Sequence, residues 1–150
     1  MIKSLVIALF ISSVSPVFAQ GTYKVLPDAA KVLWKGTKVT GEHSGTIKLK
    51  SGTLEWGAQG LMGGEIVIDM SSITNTDMER EWATELEDQL RSSDFFDTGI
   101  YKTATLKVTN VLPIAGAEAG KPNYTVTGDL TIKGITHRVT FNVLGSKEKK

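Results

Sequence analysis

Most of the chain after residue 20 alternates between apolar and polar positions, a pattern typical of β-strands with one buried face. Strands are predicted over 23–26, 31–39, 45–50, 53–56, 64–70, 104–112, 124–133 and 135–144. In the fifth segment, Ile66 and Ile68 alternate with Glu65. Two hairpin turns are expected, one at Ser51-Gly52 and one at Gly134. Because such alternation is typical of antiparallel sheets, the sequence predicts an all-β barrel or sandwich of about eight strands.

One segment, 77–91, has the periodicity of an amphipathic helix instead. Its apolar side chains recur at four-residue spacing as Trp82, Leu86 and Leu90. Thr76 and Glu79 have the spacing of a capping box, which predicts the start of the helix. We expect the apolar edge to dock against the sheet, while charged side chains such as Glu87 face solvent.

The alternation also selects the side chains that face the interior of the sheet. An antiparallel barrel of about eight strands either fills with side chains or encloses one small ligand. The candidate interior residues are Trp34, Ile47, Leu49, Ile66, Ile68, Met70, Leu106, Val108, Leu130, Ile132 and Phe141. The pattern alone leaves both possibilities open.

The N-terminal residues 1–19 read as a secretory signal peptide. Lys3 precedes an apolar run over 5–11, and Ala19 completes a V-x-A cleavage pattern. The run is too short for a membrane span, which needs roughly 20 apolar residues. We therefore expect a periplasmic or secreted domain over 20–150, with no stable membrane insertion.

Composition and chemistry narrow the function further. Lys plus Arg total 17 and Asp plus Glu total 16, so no long-range field of the chain's net charge favours nucleic acid. The chain has no cysteine, which excludes thiolate metal sites and cysteine nucleophiles.

His43 in a turn and His137 on the polar face of a strand are expected to be solvated. Asp94 and Asp97 are assigned to a turn, rather than to an acid/base pair, beside core-filling Phe95 and Phe96. No catalytic residue, metal site or cofactor is predicted.

Four segments carry a resemblance to a known family. GGEIVIDMSSITNTDM at 63–78, LRSSDFFDTGIYKTATLKVTNV at 90–111 and YTVTGDLTIKGITHRVTFNV at 124–143 resemble the YceI-like family. The start, 32–56, is similar to the version in Bacteroidetes-type members. The resemblance implies an extended lipocalin-like antiparallel barrel in a periplasmic or secreted protein. It also implies that a long polyisoprenoid or similar lipid lies inside the barrel.

The chain stops at GSKEKK, whereas the family continues past the last hairpin with strands that close the barrel. We therefore expect either a shortened member or a fragment, with an incompletely closed barrel. The leading hypothesis is a non-enzymatic carrier for a long apolar lipid, with an isoprenoid as ligand and the candidate interior residues as its site. The alternative is an interaction or stress-response module with a filled barrel and no ligand. A homodimer is compatible with either.

Overall fold

A computed structural model describes residues 20–147. The elements are β1 Gly21–Lys24, a 3-10 turn Pro27–Ala29, β2 Val32–Lys38, β3 Gly41–Gly57, β4 Gly60–Asn75, α1 Arg80–Arg91, β5 Thr103–Pro113, β6 Tyr124–Ile132 and β7 Ile135–Val143. All strand pairs are antiparallel, in the order β1-β3-β4-β5-β6-β7, and β2 also pairs with β3. Within the described residues no pairing joins β1 to β7. The all-β, lipocalin-like prediction is thus confirmed as an open sheet.

The strand register places apolar and charged side chains on opposite faces, as the alternation predicts. Ile66 pairs with Leu106, and Leu106 pairs with Leu130, so these three lie in one row across β4, β5 and β6. The adjacent row consists of Glu65, Lys107, Asp129 and Arg138 on the opposite face. Since a slip of one residue would exchange the two faces, the apolar row fixes the register of the sheet.

The predicted turn at Ser51-Gly52 is wrong. The residues continue one long strand, β3, in which Ser51 pairs with Val67 and Gly52 pairs with Ile66. A register shift between Leu49 and Ser51 marks a β-bulge, which bends the strand without reversing it. The two predicted segments therefore merge, and the sheet has seven strands rather than about eight.

The second predicted hairpin is confirmed. Lys133 and Gly134 have φ values of 50° and 72°, as the type I′ turn requires at both central residues. Glycine adopts this left-handed backbone without strain. The turn thereby sets the pairing of β6 with β7.

The helix begins later than predicted, and only part of its predicted apolar edge docks, since Leu90 packs against the core cluster and Trp82 does not. It starts at Arg80, and the Glu79 side chain makes no capping hydrogen bond. Trp82 is 62% exposed, whereas Ala83 and Glu87 are buried. The small Ala83 lets α1 approach the sheet, and ion pairs of Glu87 allow its burial. The predicted docking of Trp82 and the predicted exposure of Glu87 are both wrong.

A compact apolar cluster lies where α1 meets the sheet, and we call it the filled end. Its buried members are Ile47, Met70, Ile73 and Ala104, packed against Val32, Trp34, Ile68, Leu90, Phe96 and Ile132. Phe96 thus contributes to the core as predicted. The prediction for Phe95 is wrong, because its ring is 45% exposed beyond the end of the helix.

Candidate functional site

The apolar side of the sheet away from α1 is only partly covered, and we call it the open apolar face. It consists of Leu54, Trp56, Ile66, Leu106, Tyr124, Val126, Leu130 and Phe141. Tyr124 and Val126 are buried, whereas the leucines and Ile66 are half-buried. Phe141 lies on edge strand β7 and is 39% exposed. The face therefore offers contiguous apolar surface across five strands.

Two aromatic rings close one end of the open apolar face. The rings of Trp56 and Tyr124 meet edge to face, with centroids 6.2 Å apart and planes at 78°. Gly60 has φ 107°, and a Cβ there would collide with the Tyr124 hydroxyl. Glycine at this position thus permits both the backbone conformation and the close approach of the ring.

Residues 144–147, which we call the 144–147 strap, cross this aromatic end. Asn123 Nδ2 donates to Gly145 O at 2.8 Å, and Gly145 N donates to Asn123 Oδ1 at 2.8 Å. At the far side, Lys147 Nζ donates to the Tyr23 hydroxyl at 2.8 Å and lies 5.2 Å from the ring centroid. The strap thus links the β6–β7 side of the open sheet to β1.

A small pocket lies beneath the strap. It measures about 170 Å³ and is lined by Tyr23, Leu54, Trp56, Ser146 and Lys147. Most of this lining is apolar, and its residues with polar side-chain groups are Tyr23, Ser146 and Lys147. Such a pocket suits one end of an apolar molecule that carries an oxygen atom.

The outer side of the same strands is polar. Hydroxyl pairs join β6 to β7, with Thr127 Oγ1 at 3.1 Å from Thr140 Oγ1 and Thr131 Oγ1 at 2.7 Å from Thr136 Oγ1. Between them, Arg138 Nε donates to Asp129 Oδ1 at 3.3 Å. An apolar ligand is therefore excluded from this side.

The structure divides the predicted interior residues between two regions. Trp34, Ile47, Ile68, Met70 and Ile132 lie in the filled end. Ile66, Leu106, Leu130 and Phe141 lie on the open apolar face. Val108 pairs with Gly128 on that same side of the sheet, and Leu49 is buried opposite Ile68 between the two regions. The eleven residues are thus not brought together around one cavity.

Buried polar groups fix the helix at the filled end. Glu87 Oε1 accepts from Asn75 N at 2.8 Å, and Glu87 Oε2 accepts from Arg80 Nη2 at 2.9 Å. Arg91 Nη2 donates to Ile73 O at 2.6 Å. The hydrogen bond from Arg80 holds the pKa of the Glu87 carboxyl below its usual range, against the opposing effect of burial. These contacts serve structure, because they join α1 to β4.

Both histidine predictions need correction. His43 is half-buried with Nδ1 3.5 Å from Asp77 Oδ2, and that nitrogen makes no hydrogen bond. The reason is that Thr76 N donates to Ser44 O at 3.1 Å, which brings the β4–α1 connection over His43. His137 is exposed as expected, but it pairs with Leu130 and so belongs to the apolar row.

Asp77 also has altered electrostatics, but nothing near it forms a metal site. The side-chain hydrogen bond from Asn75 lowers the pKa of the Asp77 carboxyl. Among the residues described, no group of three or more His, Cys, Asp or Glu side chains is placed to hold a metal ion. Within the same part of the chain, no helix has the length and apolar character required to span a membrane.

Sequence reasoning missed the residues that hold the 144–147 strap. Asn123 precedes β6 and belongs to a segment that looks like an ordinary loop. Its contacts with Gly145 join residues 22 positions apart. No local pattern signals such a contact.

Comparison with known proteins shows which family and which proteins this chain is similar to. A family model described as the YceI-like domain matches residues 23–149. A UPF0312 protein of Vibrio parahaemolyticus is 36% identical over 76 residues, or 51% of this chain and 34% of the relative. A UPF0312 protein of Vibrio campbellii is 35% identical over a match of the same extent. The matched region thus spans about a third of the length of these curated relatives.

Among solved structures, the crystal structure of Burkholderia cenocepacia BcnA aligns with a TM-score of 0.47 and 25% sequence identity. The alignment covers 66% of this chain and 61% of that chain. The family match, in contrast, extends over almost all of the described residues. The chain therefore belongs to the YceI-like domain family.

Proposed function

We propose that this protein is a non-enzymatic carrier that binds a long apolar lipid, an isoprenoid, along the open apolar face. The observation that carries the proposal is the half-buried row of Ile66, Leu106 and Leu130, continuous with the aromatic end at Trp56 and Tyr124. Side chains of this kind gain free energy when another apolar group covers them. A flexible hydrocarbon chain can lie along a contiguous apolar row of this kind.

The energetics favour a long ligand over a small one. Burial of apolar surface contributes about 25 cal/mol per Å², so affinity grows with the length of chain in contact. Hydrogen-bonding side chains lie mostly on the outer face of the sheet, and the open apolar face has almost none. Specificity must therefore come from length and shape, with polar recognition limited to the pocket beneath the 144–147 strap.

Membership in the YceI-like domain family supports the proposal, because the resemblance implies a lipid chain held within the sheet. We also propose that the carrier acts in the periplasm or outside the cell. The support for this location is the signal-peptide pattern at 1–19, which lies outside the described residues.

The direct experiment is extraction of the purified protein with organic solvent, followed by mass spectrometry. The full chain should be produced in a bacterial host with its N-terminal segment, so that it meets membrane lipids. We expect an isoprenoid or another long-chain lipid in stoichiometric amount. An extract without any such lipid would contradict the proposal.

A pair of variants locates the ligand. Leu130→Glu places a charge on the open apolar face, where desolvation beside a lipid is costly. Thr131→Glu introduces the same charge on the next residue of β6, which points to the outer face. We expect Leu130→Glu to lose the lipid and Thr131→Glu to retain it, with both folded by circular dichroism. Equal retention would place the ligand elsewhere.

A second function has a specific observation in its favour. β7 is an edge strand on which Ile135 is 60% and Phe141 is 39% exposed, and an edge of this kind can pair with a strand of another chain. The partner would be a second copy, forming a homodimer. Sedimentation velocity of the wild type and of Phe141→Glu tests it, with a dimer expected only for the wild type.

A further inference from the structure

We propose that the 144–147 strap is a gate, and that its opening controls how fast a lipid enters and leaves the pocket at Trp56. The inference rests on the proposed function, since it describes access to the same face. It adds a moving part and the residues that hold it closed. Asn123 is the clasp at one side, and the pair of Lys147 with Tyr23 is the latch at the other.

The 144–147 strap lies directly over the aromatic pair of Trp56 and Tyr124. Built on its backbone, a Cβ at Gly145 would lie 3.3 Å from the Tyr124 ring and 3.5 Å from the Trp56 ring. The strap thus covers the aromatic pair on the apolar side of the sheet. Among the described strands β1 and β7 are not paired, so the strap is what spans the gap between them at this end.

The 144–147 strap is held by a small number of contacts at its two sides. In the part of the chain that the structure describes, the strap pairs with no strand, and it is held by the two hydrogen bonds with Asn123 and the Lys147–Tyr23 contact. Leu144, Ser146 and Lys147 are exposed, so the strap's own side chains bury little surface, and opening uncovers mainly the rings beneath Gly145. Segments with few buried contacts open with lower free energies than paired strands. The strap should therefore open while β6 and β7 remain folded.

The pocket beneath indicates the chemical class of the ligand end. Its walls are the apolar surfaces of Leu54, Trp56 and Tyr23, and the Lys147 ammonium lies at the rim. Lys147 uses one of its three N–H groups on the Tyr23 hydroxyl. A lipid whose end carries an oxygen acceptor would fit here, with its hydrocarbon part directed towards Leu106 and Leu130.

Stopped-flow fluorescence with the neutral probe N-phenyl-1-naphthylamine tests the gate on the full chain, stripped of bound lipid. Asn123→Ala removes both clasp hydrogen bonds. Asn142→Ala is the matched control, because its Oδ1 accepts from Thr125 Oγ1 at 3.0 Å on the outer face. We expect Asn123→Ala to raise the association and dissociation rates together by about tenfold or more, because two hydrogen bonds that hold the strap closed are lost. The control should match the wild type.

Hydrogen exchange provides a readout that needs no ligand. In the wild type the Gly145 amide should exchange much faster than the amides of β6 and β7, and faster still in Asn123→Ala. Gly145 exchange as slow as that of the strands would overturn the gate, as would unchanged probe rates in a folded Asn123→Ala. Absence of probe binding to the wild type would instead overturn the proposed function itself.

Discussion

The filled end and the open apolar face are built from the same strands but are completed differently. At the filled end, α1 and its following loop cover the apolar side chains, so Ile73 and Ala104 are each only 2% exposed. On the open apolar face, no helix within residues 20–147 covers Leu106 or Leu130, which remain half-buried. The same alternation of sequence therefore produces a packed core in one region and an unfinished one in the other.

The polar contacts follow the same division. At the filled end, Glu87 accepts a buried hydrogen bond from Asn75 N of β4, Arg91 donates to Ile73 O, and the Trp34 indole donates to Thr74 O at 2.9 Å. The open apolar face is bounded by the 144–147 strap, whose attachments are partly exposed. One sheet thus has an end held by polar contacts within the core and an end bounded by partly exposed ones.

The largest effect is expected from a cavity in the filled end. Ile73→Ala removes a side chain that is 2% exposed, and such truncations cost about 2–5 kcal/mol because the surroundings relax only partly. We expect the free energy of unfolding, measured with urea, to fall by that amount. A loss as small as that of a surface substitution would show that this end is not the core.

A smaller loss of unfolding free energy is expected when the charge of Glu87, which helps to join α1 to β4, is removed. Glu87→Gln keeps the shape of the side chain but removes the charge that accepts from Arg80 and Asn75 N. Hydrogen bonds to a charged group contribute roughly 2 kcal/mol. The free energy of unfolding should fall by that amount in urea titrations. Glu85→Gln, an exposed residue on the same helix, is the control and should leave it unchanged.

The same pair predicts a dependence of stability on pH. Arg80 lowers the folded-state pKa of Glu87 below its unfolded value, which is about 4.3. The stabilisation is therefore complete above the unfolded pKa and is lost as the pH falls through the folded one. Between pH 6 and pH 3 the wild type should lose more unfolding free energy than Glu87→Gln. Parallel curves for the two proteins would contradict the assignment.

The strands and their faces could be predicted because alternation is a local property. Any register that buried Ile66 and Leu106 had to expose Glu65 and Lys107, and the structure agrees. The bulge in β3 was not predicted, because Ser51-Gly52 has residue types that are typical of a turn and also occur at a bulge. What decides between turn and bulge is the pairing with β4, which no short window contains.

The orientation of α1 and the strap could not be predicted, because each depends on distant partners. Burial of Glu87 requires Arg80 and the backbone of Asn75, a set that the helical pattern counts as solvent-facing. The strap likewise depends on Asn123, far along the chain from Gly145. In the candidate site, the apolar row was therefore predictable, whereas its boundary was not.

Truncation on the open apolar face should cost less than in the filled end. Leu106→Ala removes a half-buried side chain, so we expect a loss of about 1–2 kcal/mol in the lipid-free protein, below the range for fully buried leucine. Added N-phenyl-1-naphthylamine should stabilise the wild type more than the variant, because the variant offers less apolar contact. A loss equal to that of Ile73→Ala would mean that this face is already filled.

The smallest effect is expected at Trp82, although the helical periodicity marks it as a docking residue. Its side chain is 62% exposed, since Ala83 and Glu87 occupy the face of α1 that meets β4. Trp82→Ala should change the free energy of unfolding by less than about 0.5 kcal/mol, as for most surface positions. Alanine also has the higher helix propensity, which offsets part of any lost packing. Chemical denaturation alongside Ile73→Ala gives the comparison directly. A cost of several kcal/mol would contradict this assignment, because it would mean that α1 packs against the sheet through Trp82.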